Sequence, residues 1–197
     1  VIATSDAAAA LCAVGAVVLA LPSTHLRDVC RALAPHVAPD VPVLVLTKGM
    51  EPGTHQLMLD VAAAELGHVE RMAVLSGPNH AEEICLGQVS AAVLACGSPE
   101  VGDRLRGLVT TPSFRVYASD DVTGVEVCGA MKNVVAIACG IAAGLGAGDN
   151  TQAVLMTRGL AEIGRVSDAL GGSPLTPMGL AGMGDLVEIG RASCRER

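Results

Sequence analysis

Large rings are almost missing from this 197-residue sequence: Phe114 and Tyr117 are its two aromatic residues, and it has no tryptophan. A core without them must be built mostly from Ala, Val, Leu and Ile. With 23 glycines for tight turns, that mixture suits close α/β layering better than an aromatic-rich β-sandwich. Basic runs are absent too. The 13 Lys and Arg residues against 20 Asp and Glu leave a net charge of −7, which argues against nucleic acid as a partner, because neutralising phosphates requires clustered cations. The seven cysteines (Cys12, Cys30, Cys85, Cys96, Cys128, Cys139, Cys194) are odd in number and never spaced C-x-x-C. They read as reduced thiols filling a cytosolic core, not as a disulfide framework or zinc site. The histidines are likewise unclustered, so no metal site is expected. The most apolar stretch, Ala7 to Leu21, contains Gly15, stops at Pro22 and lacks a basic flank, so it is too short to cross a bilayer. No membrane span is expected, and the expected location is the cytoplasm.

What is present is punctuation around short apolar runs. Val1 to Val14 reads as a strand remnant and then a helix opened by Ser5 or Asp6. Gly15 to Leu21 is a continuous apolar run, the pattern of a strand covered on both faces. Further strands are predicted at Pro42 to Leu46, Met72 to Leu75, Ala91 to Ala95 and Phe114 to Tyr117. Between them, helices are predicted from Leu26, over Leu57 to Leu66, Ala81 to Leu86 and Val101 to Leu108. This alternation implies parallel pairing with right-handed crossovers. The turns Pro22-Ser23, Lys48-Gly49, Ser76-Gly77-Pro78 and Cys96-Gly97 would then all lie at the carboxyl edge of the sheet, where ligands bind. After Tyr117 only helical patterns remain, over Val122 to about Ala143 and Gln152 to Leu170. The expected organisation is therefore residues 1–117 as a sheet domain, 118–187 as the start of a helical domain and 188–197 as an atypical tail.

Two lysines, Lys48 and Lys132, stand among the 13 basic residues. Codon bias toward arginine accounts for the scarcity but not for why these two remain. Lysine, unlike arginine, loses its proton when desolvated, so it suits a site that exchanges protons. A stem packed on apolar surface with its amine in water accounts for either position as well. Asn79 reads as an N-cap with Glu82 completing a capping box, which would aim helix amides near His80 and Ala81 into the crevice. Asp185, alone among glycines, reads on its own as another cap. The series Gly140, Gly144, Gly146 and Gly148 has no preceding strand and no Gly-Lys-Ser, so it reads as a helix end dissolving into a flexible loop. His25 and His80 lie beside crevice turns.

In order, the chain carries Leu19-Ala-Leu-Pro22-Ser23, Thr47-Lys48-Gly49-Met50-Glu51, Ser76-Gly77-Pro78, Phe114-Arg-Val-Tyr117 and Gly124-Val-Glu-Val-Cys-Gly129-Ala-Met-Lys132-Asn133. Thr157-Arg158-Gly159-Leu-Ala-Glu162 and Met178-Gly-Leu-Ala-Gly182-Met-Gly184-Asp185-Leu186-Val187 follow. This series resembles the bacterial NAD(P)-dependent glycerol-3-phosphate dehydrogenases. The resemblance implies a partial doubly wound Rossmann-type sheet followed by a truncated all-α substrate domain, NAD or NADP as cofactor, and dihydroxyacetone phosphate and glycerol 3-phosphate as substrates, for glycerophospholipid synthesis. It places Lys132 at the general acid/base position and Lys48 at a contact with both cofactor and substrate. Gly77, Asn79 and Asp185 match substrate contacts; Ala81, with the Pro22-Ser23 turn, matches cofactor contacts. Asn133 would support Lys132 from behind, and a homodimer is compatible with the resemblance.

Three departures accompany it. The family's opening Gly-x-Gly-x-x-Gly unit is not in the sequence, so a fragment entered partway through the dinucleotide fold is expected, with little or no turnover of its own. Asn79 stands where Ser or Thr is usual, and His80 and Glu82 where an aromatic and a lysine are common. After Val187 the pattern is lost, and the Ser-Arg-Asn stretch that holds the substrate phosphate does not follow, as in a truncated or artefactual end. The competing readings are a related dehydrogenase of the 6-phosphogluconate or ketopantoate type, and a non-catalytic interaction module.

Overall fold

The computed structural model describes residues 2–187. The atypical tail expected at 188–197, with Cys194, lies outside the described residues. Strands β1 (Val17–Leu19), β2 (Val43–Val45), β3 (Met72–Ser76), β4 (Ser90–Cys96) and β5 (Phe114–Ser119) form one sheet in the order β1-β2-β3-β4-β5. Its helices are α1 (Ala7–Leu11), α2 (Leu26–Leu33), α3 (Met58–Leu66), α4 (Ala81–Cys85), α5 (Pro99–Val109), α6 (Val122–Gly144) and α7 (Asp149–Ala169). Each predicted element from α1 onward is present, shifted by a few residues at its ends. The strand remnant expected before α1 is irregular chain, and Asp6 caps α1 through its side chain.

Alternation along the central strands explains the layering. Val43, Val45, Met72 and Val74 join a core with Leu26 and Cys30 of α2, Val61 and Ala62 of α3, and Val125, Val127 and Cys128 of α6. Leu44, Ala73 and Leu75 face the other way and pack with Leu94, Leu105 and Phe114 under α5. Burial on both faces is what all-apolar strand sequences demand. β1 departs from this: Val18, on the strand at the sheet's edge, is 52% exposed and borders an open groove with Leu44 and Ile84.

Two expectations are corrected. β3 and β4 pair antiparallel, with Ala73 opposite Cys96 and Ser76 opposite Val93, while the other pairs are parallel. The short α4 turns the chain back beside β3 rather than carrying it over the sheet to restart in the same direction, so Cys96-Gly97 lies at the opposite edge from Ser76-Gly77. Three turns, not four, share the carboxyl edge of β1–β3. The cysteines are also not all in the core, since Cys12 and Cys85 are exposed.

The antiparallel turn has a consequence for α6. β5 ends at the far edge, so α6 starts there, crosses the sheet and brings its middle to the carboxyl edge. By length and composition α6 is apolar enough to cross a membrane, and its first half is packed into the sheet core through Val125, Val127 and Cys128. Its end is closed by a compact reversal. Gly146 at φ +83° lets its own N–H reach Ala143 O and that of Ala147 reach Ala142 O, the paired bonds that close a helix terminus.

Candidate active site

The Lys48 turn is built from both sides. Thr47 Oγ1 donates to Leu21 O at 2.9 Å, joining the end of β2 to the Pro22-Ser23 turn after β1. Gly49, at φ +134°, would place a Cβ 3.3 Å from Ser23 Oγ, so glycine is what lets these two turns sit together. Beyond it, Glu51 accepts two hydrogen bonds from Arg27 of α2, each 2.7 Å. That bidentate pairing draws the Glu51 carboxyl down to about 2. Arg27 also reaches Glu65 of α3 at 2.8 Å, so the segment after Lys48 is clamped between two helices.

Lys132 approaches from α6. Gly129, one turn earlier, would place a Cβ 3.3 Å from Ser76 Oγ and 3.4 Å from Lys48 Cγ. The bare glycine backbone thus lets the Lys48 stem lie against α6 toward Lys132. Lys132 Nζ donates to Asp185 Oδ1, and Lys48 Nζ donates to Asp185 Oδ2 at 2.8 Å. Side-chain exposure is 8% for Lys132, 2% for Asp185 and 22% for Lys48.

Asp185 is delivered by a glycine-dependent loop. After α7 the chain makes a 3-10 turn over Thr176–Met178 and a π-helical turn over Leu180–Gly184. Gly172 would place a Cβ 2.7 Å from Gly124 N, and Gly164 one 3.0 Å from Pro174 O. Side chains at these positions would push the loop off α6 and α7. Asp121, at the start of α6, accepts from Gly124 N at 2.9 Å, from Ser173 N at 3.1 Å and from Thr176 Oγ1. One carboxylate therefore caps the helix that carries Lys132 and anchors the loop that carries Asp185.

Burial lowers the Lys132 pKa below its ordinary 10.5; the Asp185 carboxylate opposes that shift, and the nearby Lys48 charge reinforces it. Two cations on one carboxylate leave a net positive charge in a partly dry cleft. Such a cleft attracts an anion and stabilises negative charge developing on an oxygen, while its less exposed amine can give up a proton.

The structure brings Lys48, Lys132 and Asp185 into one cluster and sets Gly77 and Pro78 beside it. Gly77 has φ +138°, and a Cβ there would meet Ala92 Cα at 3.0 Å; Gly184, next to Asp185, faces Pro78. Pro22 and Ser23 border the Lys48 turn. Asn79 and Ala81 are not in the cluster. They line an apolar groove of about 310 Å³ with Val18, Leu44, Leu46 and Ile84 on the other face of the sheet. Asn79 does not cap α4 either: His80 holds the N-cap position, without a side-chain cap bond. Asn133 is exposed, and Lys132 is supported by Asp185 instead. Sequence reasoning gave no individual role to Asp121, Arg27, Ser76 or Glu126. Glu51 and Glu126 lie inside the quoted motifs, but their partners are distant in the chain.

With this geometry in view, the sequence profile of the NAD-dependent glycerol-3-phosphate dehydrogenase N-terminus matches residues 1–101, and that of its C-terminus matches residues 121–197. The chain belongs to this family. A glycerol-3-phosphate dehydrogenase [NAD(P)+] of Paramagnetospirillum magneticum is 52% identical over 87% of this chain and 62% of its own length. One from Symbiobacterium thermophilum is 46% identical over 95% of this chain and 55% of its own. The crystal structure of glycerol-3-phosphate dehydrogenase from Coxiella burnetii superposes with a TM-score of 0.87 at 39% identity, covering 93% of this chain and 56% of that one. The chain thus spans roughly three fifths of these relatives. A ketopantoate reductase from Ralstonia eutropha, at 15% identity and a TM-score of 0.52, shares the fold alone.

Proposed function

We propose that this chain carries the proton-transfer site of an NAD(P)-dependent dehydrogenase interconverting dihydroxyacetone phosphate and glycerol 3-phosphate. The observation that carries the reading is the buried Lys132–Asp185 pair with Lys48 on the second carboxylate oxygen. In reduction, Lys132 gives its proton to the C2 oxygen of the substrate; in oxidation, it takes the hydroxyl proton back. Asp185 holds the Lys132 amine in place and restrains its acidity, and Lys48 adds positive charge toward the anionic substrate. The nicotinamide, when bound, supplies or accepts the hydride.

The residues present fit such a cofactor at the carboxyl edge of β1 and β2. There Gly49, where a Cβ would meet Ser23, keeps low the turn that Ser23 and Lys48 border. Pro22, Ser23 and Lys48 would hold the cofactor, and Gly77, Lys48 and Asp185 the substrate, whereas Asn79 and Ala81 lie in the groove on the other face of the sheet. On this reading residues 1–117 form the cofactor-side domain and 118–187 the beginning of the substrate-side one. The enzyme works in the cytoplasm and supplies glycerol 3-phosphate for phospholipid synthesis. Assays of NADPH oxidation with dihydroxyacetone phosphate and with ketopantoate, on this chain and on a version completed from a relative, test it. Turnover of dihydroxyacetone phosphate by the completed version supports it; exclusive turnover of ketopantoate contradicts it.

A further inference from the structure

Beneath the Lys48 turn, the end of β3 and the inner face of α6 leave a narrow cleft of about 10 Å³ lined by Thr47, Lys48, Gly49, Ser76, Glu126 and Gly129. Two of its polar groups have bonding capacity to spare. Ser76 is 4% exposed, and among the described residues its Oγ has no hydrogen-bond partner, an unfavourable state for a buried hydroxyl. Glu126 accepts the Leu59 N–H on Oε1 at 2.8 Å, at the start of α3, which leaves lone pairs unused on its carboxyl group. Size decides what meets these groups. A triose phosphate cannot enter so small a space, whereas a single water needs roughly 10–15 Å³ by this measure and two or more polar partners.

We propose that Ser76 and Glu126 bind one water molecule here, and that this water fastens the Lys48 turn onto the helix that carries Lys132. Ser76 ends β3, Glu126 belongs to α6 and also caps α3, and the Lys48 turn joins β2 to α3. A water shared by the first two therefore completes a ring of contacts around the turn, making Ser76 and Glu126 positioning residues. Burial raises the Glu126 pKa to about 7, with the Asp60 charge adding to the rise and the Leu59 and Met58 amides opposing it. Near neutral pH its carboxyl group is thus present in both forms, one that donates to water and one that accepts. None of this depends on the reaction assigned above.

A crystal structure of the chain showing ordered solvent, compared with Ser76→Ala and combined with amide hydrogen exchange, tests the proposal. The expected result is one solvent peak about 2.6–3.2 Å from both Ser76 Oγ and a Glu126 carboxyl oxygen, lost in Ser76→Ala. Exchange at Glu51, whose N–H closes the turn on Gln56 O, should then speed up about fivefold, the worth of one hydrogen bond of ~1 kcal/mol. Leu59, bonded directly to Glu126, should keep its rate. Ser76 Oγ bonded to a protein acceptor with no solvent peak, a peak that survives Ser76→Ala, or Glu51 exchange within twofold of wild type would each overturn it. So would replacement of the peak by a ligand oxygen in crystals soaked with glycerol 3-phosphate, which would make the cleft a substrate subsite instead.

Discussion

Lys132 carries a lowered pKa with Asp185 and Lys48 pulling in opposite directions, so the pH dependence of the proposed reaction has a defined sign. Reduction needs the protonated amine and falls as pH rises through the lowered value; oxidation needs the neutral amine and rises over the same range. Asp185→Asn removes the group that raises the value and should move both limbs to lower pH. Lys132→Met should cut kcat by about 10²–10⁴-fold, the range for losing a general acid or base, with the circular dichroism spectrum retained. Steady-state profiles of the completed enzyme in both directions check these outcomes.

Glu126 gives a second residue-scale outcome, in stability. The folded chain holds the Glu126 proton up to about pH 7, whereas the unfolded chain releases it near the ordinary 4.5. The group's contribution is therefore fully present below pH 4.5 and is lost as pH rises through 7, by about 1–3 kcal/mol. Glu126→Gln, which still accepts the Leu59 N–H, should be more stable than wild type at pH 8 and gain nothing at pH 4.5. Urea unfolding at the two pH values measures the difference; an equal effect at both would contradict it.

Among the elements, Asp121 and the glycines of the 164–184 segment do the positioning. Asp121→Ala removes a helix cap and two loop bonds at once, a loss of about 2 kcal/mol. For a chain of this size that lowers Tm by about 5 °C. Hydrogen exchange should show the Ser173 amide deprotected, whereas a purely local cap would leave it unchanged. Much at this scale was legible in the sequence. The apolar runs and their punctuation located every strand from Val17 onward and the two long helices, because burial and turn chemistry are local signals. The direction of β4 was not legible. It depends on how α4 returns the chain beside β3, and short apolar runs carry no mark of orientation. The capping box at Asn79 failed for a related reason: capping residues occur in many turns, and only the path of the chain decides which position starts the helix.

For the molecule as a whole, that single antiparallel pair sets the geometry of the site. It puts the end of β5 at the far edge, so α6 must cross the sheet and arrive at the Lys48 turn with Gly129 and Lys132. Lys48 and Lys132 were legible as candidates from their rarity and surroundings. The third member, Asp185, was legible only by resemblance, since on its own it reads as a cap; its partners lie 137 and 53 residues away in the chain. The most direct measurement of the central claim is a 13C NMR titration of the Lys132 side chain in this chain and in Asp185→Asn. The Lys132 midpoint should lie below the ordinary 10.5 and fall further when the carboxylate is neutralised. A midpoint at the ordinary value, unmoved by Asp185→Asn, would mean that the amine sits in water and would contradict the account.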